Sequence, residues 1–404
     1  MARILYITYD GLMEPLGMSQ VWQYLKALSK VHTIHIISFE KPDDLLNKGK
    51  LDALSAEVES CGVSWCRLKY HKSPNVIATA YDILCGIGLS IFFIKKLKID
   101  IIHARSYVSA SIAIFISKLL NIKFIFDMRG FWADEKIDGK TWKKESLIYK
   151  LTKKLESSFI SKSTYIVSLT NAGRDDIISL YPIKGISEKV VVIPTCVNLK
   201  IFHPQLSRRI FNVDDKDYIF TLGYVGSVGT FYLFDEVLKS FEVLLKIRKN
   251  SKLLIINKGQ HDFIYKKILE FGFNKKQVKI KSASYIDVAI NINMMDAGIF
   301  YIMPSFSKRS SSPTKFGEFL GCGKPCISNY GVGDTESILS NEGVGIVLKG
   351  FSDSDHLDGI EGLLKLVSDS GAMKKCIDVA TKHYSIDVGV EKYSHIYNQI
   401  TYKK

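Results

Sequence analysis

Residues 312–325 read SPTKFGEFLGCGKP and connect two apolar runs, at residues 297–302 and 325–328. Pro313 is typical of the position where a helix begins, and Gly323 is typical of the position just after a helix ends. An apolar run, a helix and a second apolar run in this order are typical of a strand-helix-strand unit in a parallel sheet. The segment therefore predicts an α/β protein.

The same alternation of short apolar runs and helix-like segments extends along the chain in both directions. A polar, basic stretch at residues 195–217 interrupts it, and 404 residues exceed the size at which one hydrophobic core keeps growing. We therefore predict two doubly wound, Rossmann-like domains at residues 1–200 and 201–385, followed by an amphipathic helix at residues 386–404. The predicted strands lie at residues 3–9, 33–38, 99–103, 123–127, 164–169, 190–193, 218–225, 252–257, 278–281, 297–302, 325–328 and 344–348.

The composition is that of a folded protein with a basic surface. The hydrophobic content of 47% is too high for a disordered chain, and the net charge of +14 attracts phosphates of any origin. The sequence has no zinc-finger spacing and no aromatic-basic RNA motif, so we expect no nucleic-acid partner. Its seven cysteines form no C-x-x-C pair, and no His, Cys and Asp cluster has metal-ligand spacing. We therefore expect reduced thiols and no metal ion.

Two segments are candidates for contact with a membrane. Residues 76–94 are apolar apart from Asp82 and end at a group of lysines, but Asp82 and two glycines argue against a spanning helix. Residues 140–162 interleave lysines with Leu and Ile, which suits an amphipathic helix on anionic lipid, an ordinary surface helix being the alternative. The first apolar run is too short for a signal peptide. We expect a cytoplasmic protein with peripheral contact to the inner membrane face.

In doubly wound sheets, ligands bind beyond the carboxyl ends of the strands. After the first strand, Gly17 precedes a helix whose amides suit a phosphate or hydroxyl, an ordinary turn being the alternative. His103 ends the third predicted strand, and Asp127, Arg129 and Trp132 end or follow the fourth. An arginine fork suits phosphate or carboxylate. The alternatives are a structural Asp127–Arg129 ion pair and a core histidine.

The second half of the chain offers a candidate diphosphate site. A glycine-rich loop after its first strand contains Gly226 and Ser227, whose amides would approach an anion. Thr314 and Lys315 would lie in the first turn of the helix identified above, where backbone amides and an ammonium group bind diphosphate together. Glu318 would follow one turn later, placed to accept hydrogen bonds from vicinal hydroxyls. The alternative is a plain helix N-terminus with an exposed Lys and Glu.

Taken together, these features resemble the retaining family-4 glycosyltransferases of the GT-B fold over nearly the whole chain. The matching segments are the Gly17 loop, residues 100–103, 192–197 and 223–229, and Ser312 to Pro325. The resemblance implies two domains facing a central cleft. The second domain would bind a nucleotide-sugar donor, and the first would bind most of a saccharide or lipid-linked acceptor. The final helix would cross back to the first domain.

The resemblance also assigns roles to individual residues. Glu318 would bind the donor ribose, Lys315 with the Gly226 and Ser227 amides would hold the diphosphate, and Lys258 would lie near the base. The further residues expected at the donor are Gly17, Ser310, Ser312, Pro313 and Thr314. The residues expected at the acceptor are His103, Asp127, Arg129 and Trp132. Arg129, Lys315 and Glu318 are the candidate catalytic residues. Lys315, the helix amides and Arg129 would stabilise the negative charge of the leaving diphosphate, so we expect no metal or cofactor.

Three departures from the family pattern leave the donor sugar open. Ser310 stands where the family often has a second acid, residues 230–233 replace its usual basic pair, and Arg129 stands where many members have a histidine. Two alternatives therefore remain, a nucleotide-sugar epimerase of the same fold and a non-catalytic relative that binds sugar or lipid. The family's common role indicates assembly of cell-surface polysaccharide, lipopolysaccharide or glycolipid.

Overall fold

The structure, a computed structural model, describes residues 1–205 and 211–402. These residues form two compact units. The first contains Met1–Pro194 and the helix that begins at Ile386, and the second contains Thr195–Ser385. Each unit has its own parallel sheet, flanking helices and hydrophobic core. This confirms the predicted α/β class with two Rossmann-like domains.

The sheet of the first unit has seven parallel strands in the order β3-β2-β1-β4-β5-β6-β7 among the described residues. These strands are β1 (Arg3–Thr8), β2 (Thr33–Glu40), β3 (Ser64–Lys69), β4 (Ile101–Arg105), β5 (Lys123–Asp127), β6 (Tyr165–Ser168) and β7 (Val190–Val192). The strand order reverses between β1 and β4, which is the position where doubly wound sheets bind ligands.

The helices of the first unit are α1 (Pro15–Gly17), α2 (Gln23–Leu28), α3 (Pro42–Leu46), α4 (Lys48–Ser60), α5 (Asn75–Leu97), α6 (Ser106–Leu120), α7 (Trp132–Asp138), α8 (Leu147–Lys162), α9 (Asn171–Leu180) and α10 (Ile186–Lys189). A π-helical segment, Met18–Trp22, joins α1 to α2. The core lies between the sheet and helices such as α6, whose Ile112 and Ile116 are buried against apolar residues of β4 and β5.

Every predicted strand is present, but the sequence did not predict β3. This strand pairs only with β2, at the edge of the sheet, and none of its side chains is fully buried. Its residues Ser64, Arg67 and Lys69 therefore carry no apolar run. Cys66 and Leu68 pack against the core, but the strand is only partly covered, so it needs no continuous apolar run.

The sheet of the second unit has six parallel strands in the order β10-β9-β8-β11-β12-β13 among the described residues. These strands are β8 (Thr221–Val225), β9 (Lys252–Ile256), β10 (Val278–Lys281), β11 (Ala297–Ile299), β12 (Cys326–Asn329) and β13 (Gly345–Leu348). Here the strand order reverses between β8 and β11, so the loop after β8 lies at the ligand-binding position.

The helices of the second unit are α11 (Phe234–Ile247), α12 (His261–Glu270), α13 (Tyr285–Asn293), α14 (Thr314–Gly321), α15 (Thr335–Asn341), α16 (Asp353–Val367) and α17 (Ala372–Val379). A short 3-10 helix, Phe306–Ser310, precedes α14. The last helix, α18 (Ile386–Tyr402), belongs to the first unit. The SPTKFGEFLGCGKP segment thus forms α14 and the turn into β12, which is the strand-helix-strand unit that it predicts.

Candidate functional site

The loop after β8 forms one wall of the candidate site in the second unit. Gly226 and Gly229 have φ angles of 116° and 81°, which side chains with a Cβ rarely adopt. A Cβ atom at Gly226 would lie 2.8 Å from the Nζ atom of Lys315, so the glycine also lets the loop backbone approach that lysine. Gln260 fixes the loop by hydrogen bonds to the amide and the carbonyl of Val228, at 3.0 and 2.9 Å.

One of the two amides predicted to face a diphosphate is already engaged. The Gly226 amide donates to the carbonyl of Ile256 at 2.9 Å, which extends the pairing of β8 with β9 beyond the strand end. The prediction that this amide binds phosphate is therefore corrected, and the contribution of Gly226 is the close approach to Lys315. The Ser227 carbonyl accepts a hydrogen bond from the Tyr224 hydroxyl, which orients the adjoining part of the loop.

Lys315 lies in the first turn of α14, and its ammonium group points into the space beside the glycine-rich loop. The side chain is buried, and its Nζ atom has no hydrogen-bond partner among the described residues. That atom lies 4.2 Å from the ring centroid of Tyr232 and 5.0 Å from that of Tyr224. Aromatic faces attract a cation but do not replace its hydrogen bonds. The arrangement therefore leaves a buried cation that an anionic ligand would satisfy.

Glu318 follows Lys315 by one helical turn, so both side chains lie on the same face of α14. Burial raises the pKa of Glu318 to about 7, and the positive charge of Lys315 only partly opposes the shift. Burial likewise lowers the pKa of Lys315 to about 7, with Glu318 partly opposing. Strongly shifted groups at the end of a sheet are typical of functional sites.

Lys308 brings a second ammonium group to the same loop, and the sequence did not predict it. The residue lies in the 3-10 helix before α14, is buried, and has its Nζ atom 3.7 Å from the ring centroid of Phe231. Phe231 and Tyr232 stand where the family's basic pair was expected. Lys308 and Lys315 therefore place their ammonium groups against the rings of Phe231 and Tyr232, at the position of the expected basic pair.

The other residues predicted to bind the donor differ in their burial and in their hydrogen-bond partners. The Ser310 hydroxyl donates to the Ser307 carbonyl at 2.9 Å, and the Ser312 hydroxyl contacts the Thr195 hydroxyl at 2.9 Å. Pro313 precedes α14, and Thr314 is its first residue. Lys258 is exposed. It follows the buried Asn257, whose side-chain amide donates to the Gly226 carbonyl at 2.9 Å and so connects this loop to the glycine-rich loop.

The candidate site of the first unit is a buried charged cluster at the carboxyl ends of β4 and β5. Asp127 Oδ2 lies 3.6 Å from both Arg105 Nη1 and His103 Nε2, and Tyr393 of α18 donates to it at 3.3 Å. Burial would raise the pKa of Asp127, but Arg129, His103 and Arg105 outweigh it and lower the pKa to about 2. Asp127 is therefore ionised at neutral pH.

His103 is buried among three tyrosine rings. Its Nδ1 atom lies 2.7 Å from the hydroxyl of Tyr397, and its ring centroid lies 4.4 Å from that of Tyr6 and 5.1 Å from that of Tyr393. Burial lowers the pKa of His103, although Asp127 opposes the shift. These contacts fit the alternative of a core histidine. The aromatic residues of α18 and the strand ends hold one another in place.

Arg129 and Trp132 are the predicted acceptor residues that are only half-buried. Arg129 has a φ angle of 60°, a conformation that is strained for a residue with a side chain. Its charge lowers the pKa of Asp127, but the described residues show no Asp127–Arg129 contact of ion-pair length. Trp132 begins α7 and packs edge-on against the ring of Trp142, 5.2 Å away. Both side chains are therefore available at the end of β5.

Arg105 and Asp10 complete this edge of the sheet, and the sequence did not predict either as a site residue. Arg105 Nε donates to Asp10 Oδ2 at 3.3 Å, and Asp10 follows β1 with a half-exposed carboxylate. Arg105 lies two residues after the predicted His103, but its partners are Asp10, after β1, and Asp127 of β5. The signal that would have identified it is a charged residue at the end of a buried strand.

Gly17 is buried at the end of α1. A Cβ atom there would lie 1.9 Å from the carbonyl oxygen of Gly11, so a larger residue cannot fit without moving the loop. The loop is also fixed by the buried Glu40, whose carboxylate accepts from the amides of Leu12 and Met13 at 2.8 and 3.3 Å. Within the described residues, no group of three or more His, Cys, Asp or Glu side chains is placed to hold a metal ion.

The chain is similar to known proteins in part of its sequence and in its fold. Residues 19–201 match the family described as Glycosyltransferase Family 4. No curated protein matches the sequence. A glycosyltransferase from Rickettsia africae superposes with a TM-score of 0.73 at 18% identity, covering 99% of this chain and 98% of that one. Anabaena HepE, solved with UDP and glucose, gives a TM-score of 0.69 at 10% identity, covering 98% and 100%.

Epimerases share the architecture as well. A UDP-N-acetylglucosamine 2-epimerase superposes with a TM-score of 0.62 at 8% identity, covering 100% of this chain and 97% of that one. At such low identities, the structural likeness shows the fold alone.

Proposed function

We infer that this chain, a glycosyltransferase by its Glycosyltransferase Family 4 match and its GT-B fold, takes its sugar from a UDP-sugar. The fold predicted from the sequence is confirmed, and the match of residues 19–201 to Glycosyltransferase Family 4 supports the family resemblance. The uridine base is proposed because HepE, which shares the fold, was solved with UDP.

The observation that carries the donor assignment is the buried cation at Lys315 beside the glycine-rich loop. A diphosphate there would supply the hydrogen bonds that Nζ lacks, and the first-turn amides of α14 add to the attraction. Glu318, one turn further, would accept hydrogen bonds from the ribose hydroxyls. We propose that Lys308 binds the same diphosphate, with Lys258 near the base.

We propose that the reaction retains the anomeric configuration. The bond between the anomeric carbon and the diphosphate oxygen breaks, and UDP leaves with the electron pair. The acceptor oxygen bonds to the anomeric carbon on the same face and gives its proton to the departing diphosphate. Lys315 stabilises the negative charge that develops on the leaving group, so we propose that no metal ion or cofactor is needed. Loss of transfer in EDTA would contradict this.

We assign the acceptor to the first unit. Arg129 and Trp132 are the partly exposed side chains at the end of β5, and they offer a charged fork and an aromatic surface to a saccharide. Asp127 and His103 lie beneath them and position the loop. The proposed acceptor is a saccharide or lipid-linked saccharide of cell-surface polysaccharide or glycolipid assembly.

The first test is a thermal-shift screen of the purified chain against UDP, GDP, CMP, ADP and dTDP and their sugars. We expect UDP and UDP-sugars to stabilise the wild type and to leave Glu318→Ala unshifted. Glu361→Ala, an exposed position on α16, is the matched control and should respond like the wild type. No shift with any nucleotide would refute the donor site, and a shift with another base alone would refute UDP.

A second assay separates transfer from epimerisation. A transferase releases UDP in proportion to product when an acceptor is present, whereas an epimerase changes the UDP-sugar without an acceptor. We expect no conversion of UDP-N-acetylglucosamine by the chain alone. Tight nucleotide binding without turnover of any donor would instead support the non-catalytic alternative that Ser310 leaves open.

A further inference from the structure

Three neighbouring helices of the first unit, α5, α6 and α8, expose an unusual number of apolar side chains. Helix α5 packs against α6, and α6 packs against α8, so the three form one continuous surface, which we call the helical face. The exposed apolar side chains of this face are Val76, Ile77, Tyr81, Leu84 and Phe92 on α5, Phe115 and Leu119 on α6, and Leu147, Ile148, Leu151 and Leu155 on α8.

The exposed residues of α5 follow the period of a helix. Ile77, Tyr81, Leu84 and Phe92 lie three, four or eight positions apart, so they form one stripe along the outside of the helix. Ile77 is 70% exposed, Leu84 67% and Phe92 54%. Isolated exposed apolar residues are common on proteins, but a contiguous stripe marks a surface that binds something apolar.

Helix α5 is also part of the folded unit. Among the described residues, Val76–Leu97 is the one helix long and apolar enough to cross a membrane by its length and composition. Its Asp82 is buried, however, and accepts hydrogen bonds from the Tyr9 hydroxyl at 2.8 Å and the His71 amide at 3.1 Å. Gly86 lies against Ile112 of α6 and Phe39 of β2. These contacts favour a helix that lies along a surface.

The charges of the helical face are of one sign. The two acidic residues of the three helices, Asp82 and Glu156, are both buried. Exposed lysines lie beside the apolar side chains, at Lys95 and Lys96 on α5, Lys118 on α6, and Lys150, Lys154 and Lys162 on α8. An apolar stripe flanked by lysines complements the acyl boundary and the phosphates of an anionic bilayer.

We propose that the helical face binds the surface of an anionic lipid bilayer. The apolar side chains of α5 and α8 enter the boundary between headgroups and acyl chains, and the lysines contact lipid phosphates. The chain is thereby held at the membrane without spanning it. This inference does not depend on the identity of the donor or acceptor.

The test is flotation of the full chain with phosphatidylcholine vesicles that contain or lack phosphatidylglycerol. We expect binding to the anionic vesicles and about tenfold weaker binding after Lys95→Glu with Lys96→Glu, or after Leu84→Ser with Phe92→Ser. The matched controls are Lys365→Glu with Lys374→Glu and Leu269→Ser with Leu357→Ser, at exposed positions of the second unit. These should bind like the wild type.

Folding of each variant is checked by its circular dichroism spectrum and its melting temperature, which the proposal expects to match those of the wild type. Equal binding of the wild type and the α5 variants to anionic vesicles would overturn the proposal, as would no binding by the wild type. Sedimentation that shows a dimer lost in Leu84→Ser with Phe92→Ser would assign the face to a second copy of the chain and would also overturn it.

Discussion

Lys315 is a buried ammonium group that has no hydrogen-bond partner among the described residues of the free protein. Its burial costs stability, and an anion that pairs with it regains that cost. The same residue therefore opposes folding of the free chain and favours binding of the donor. Such a conflict between stability and function is typical of active-site residues.

Lys315→Met should separate these two effects. Removal of the buried charge is expected to leave the melting temperature of the free protein unchanged or higher, because the apolar side chain fits beside Tyr224 and Tyr232. Affinity for UDP should fall about 10- to 100-fold, the usual contribution of a hydrogen bond to a charged group. Calorimetric titration measures the affinity, with the exposed Lys365→Met as control. A variant that melts lower but binds UDP normally would contradict the assignment.

The shifted pKa values of Lys315 and Glu318 predict how stability depends on pH. Between the ordinary pKa of 4.5 and about 7, the folded state binds more protons at Glu318, so the free energy of unfolding falls as pH rises. Between pH values of about 7 and the ordinary Lys pKa of 10.5, the unfolded state binds more protons at Lys315. The free energy of unfolding therefore rises again as pH increases. The pair therefore costs the most stability near pH 7.

This pH dependence is checked by urea unfolding between about pH 5 and about pH 9. The wild type is compared with the double variant Lys315→Met with Glu318→Gln. The variant should gain most over the wild type near pH 7, and the gain should shrink on either side. A constant difference across the range would show that the two pKa values are not shifted toward neutrality.

Lys315 and Glu318 could be predicted as a pair because both lie on one helix whose period fixes their common face. The sequence could not predict the site contacts of Lys308, Arg105 and Tyr397, because each of them lies on a different element from its partners. The sequence places Arg105 beside His103, but only the parallel pairing of β4 with β1 and β5 brings it to Asp10 and Asp127. Contacts between residues of different strands depend on the strand order of the sheet, which cannot be read from a single sequence.

At the scale of elements, the apolar runs identified the central strands because those strands are covered on both faces. The same criterion missed β3, an edge strand whose side chains are half-buried or exposed. The Gly17 loop shows a similar limit. Gly17 was predicted to precede helix amides that bind a phosphate or hydroxyl, and the structure adds a packing role, since the backbone of Gly11 lies close to it.

Gly17→Ala tests the packing of this loop. The new methyl group would lie 1.9 Å from the Gly11 carbonyl oxygen, and the resulting overlap should destabilise the chain by about 1–3 kcal/mol. Gly49→Ala is the matched control, because a Cβ atom at Gly49 in α4 meets nothing within 4 Å. It should stabilise the chain by about 0.4–1 kcal/mol. Urea unfolding gives both values, and equal stability of the two variants would refute the packing role.

At the scale of the whole molecule, the chain contains two parallel sheets, each with its own core and each with a cluster of charged groups at the carboxyl ends of its strands. In the cluster of the first unit, Asp127 contacts Arg105, His103 and Tyr393, while Asp127 Oδ1 and His103 Nε2 have no hydrogen-bond partner among the described residues. The cluster of the second unit contains the unsatisfied Lys315. The charges of the first cluster therefore pair with one another, whereas the Lys315 ammonium group has no hydrogen-bond partner among the described residues.

Hydrogen exchange of the intact chain can show which of the two units binds UDP. UDP should slow exchange in the glycine-rich loop after β8, in residues 257–260 and in the first turn of α14, because bound diphosphate and ribose restrain these segments. The amides around Asp127 and His103 should change less, because that cluster is already held by α18. Glu318→Ala with UDP is the control and should exchange like the free wild type. Slower exchange confined to the first unit would show that the donor site has been assigned to the wrong sheet.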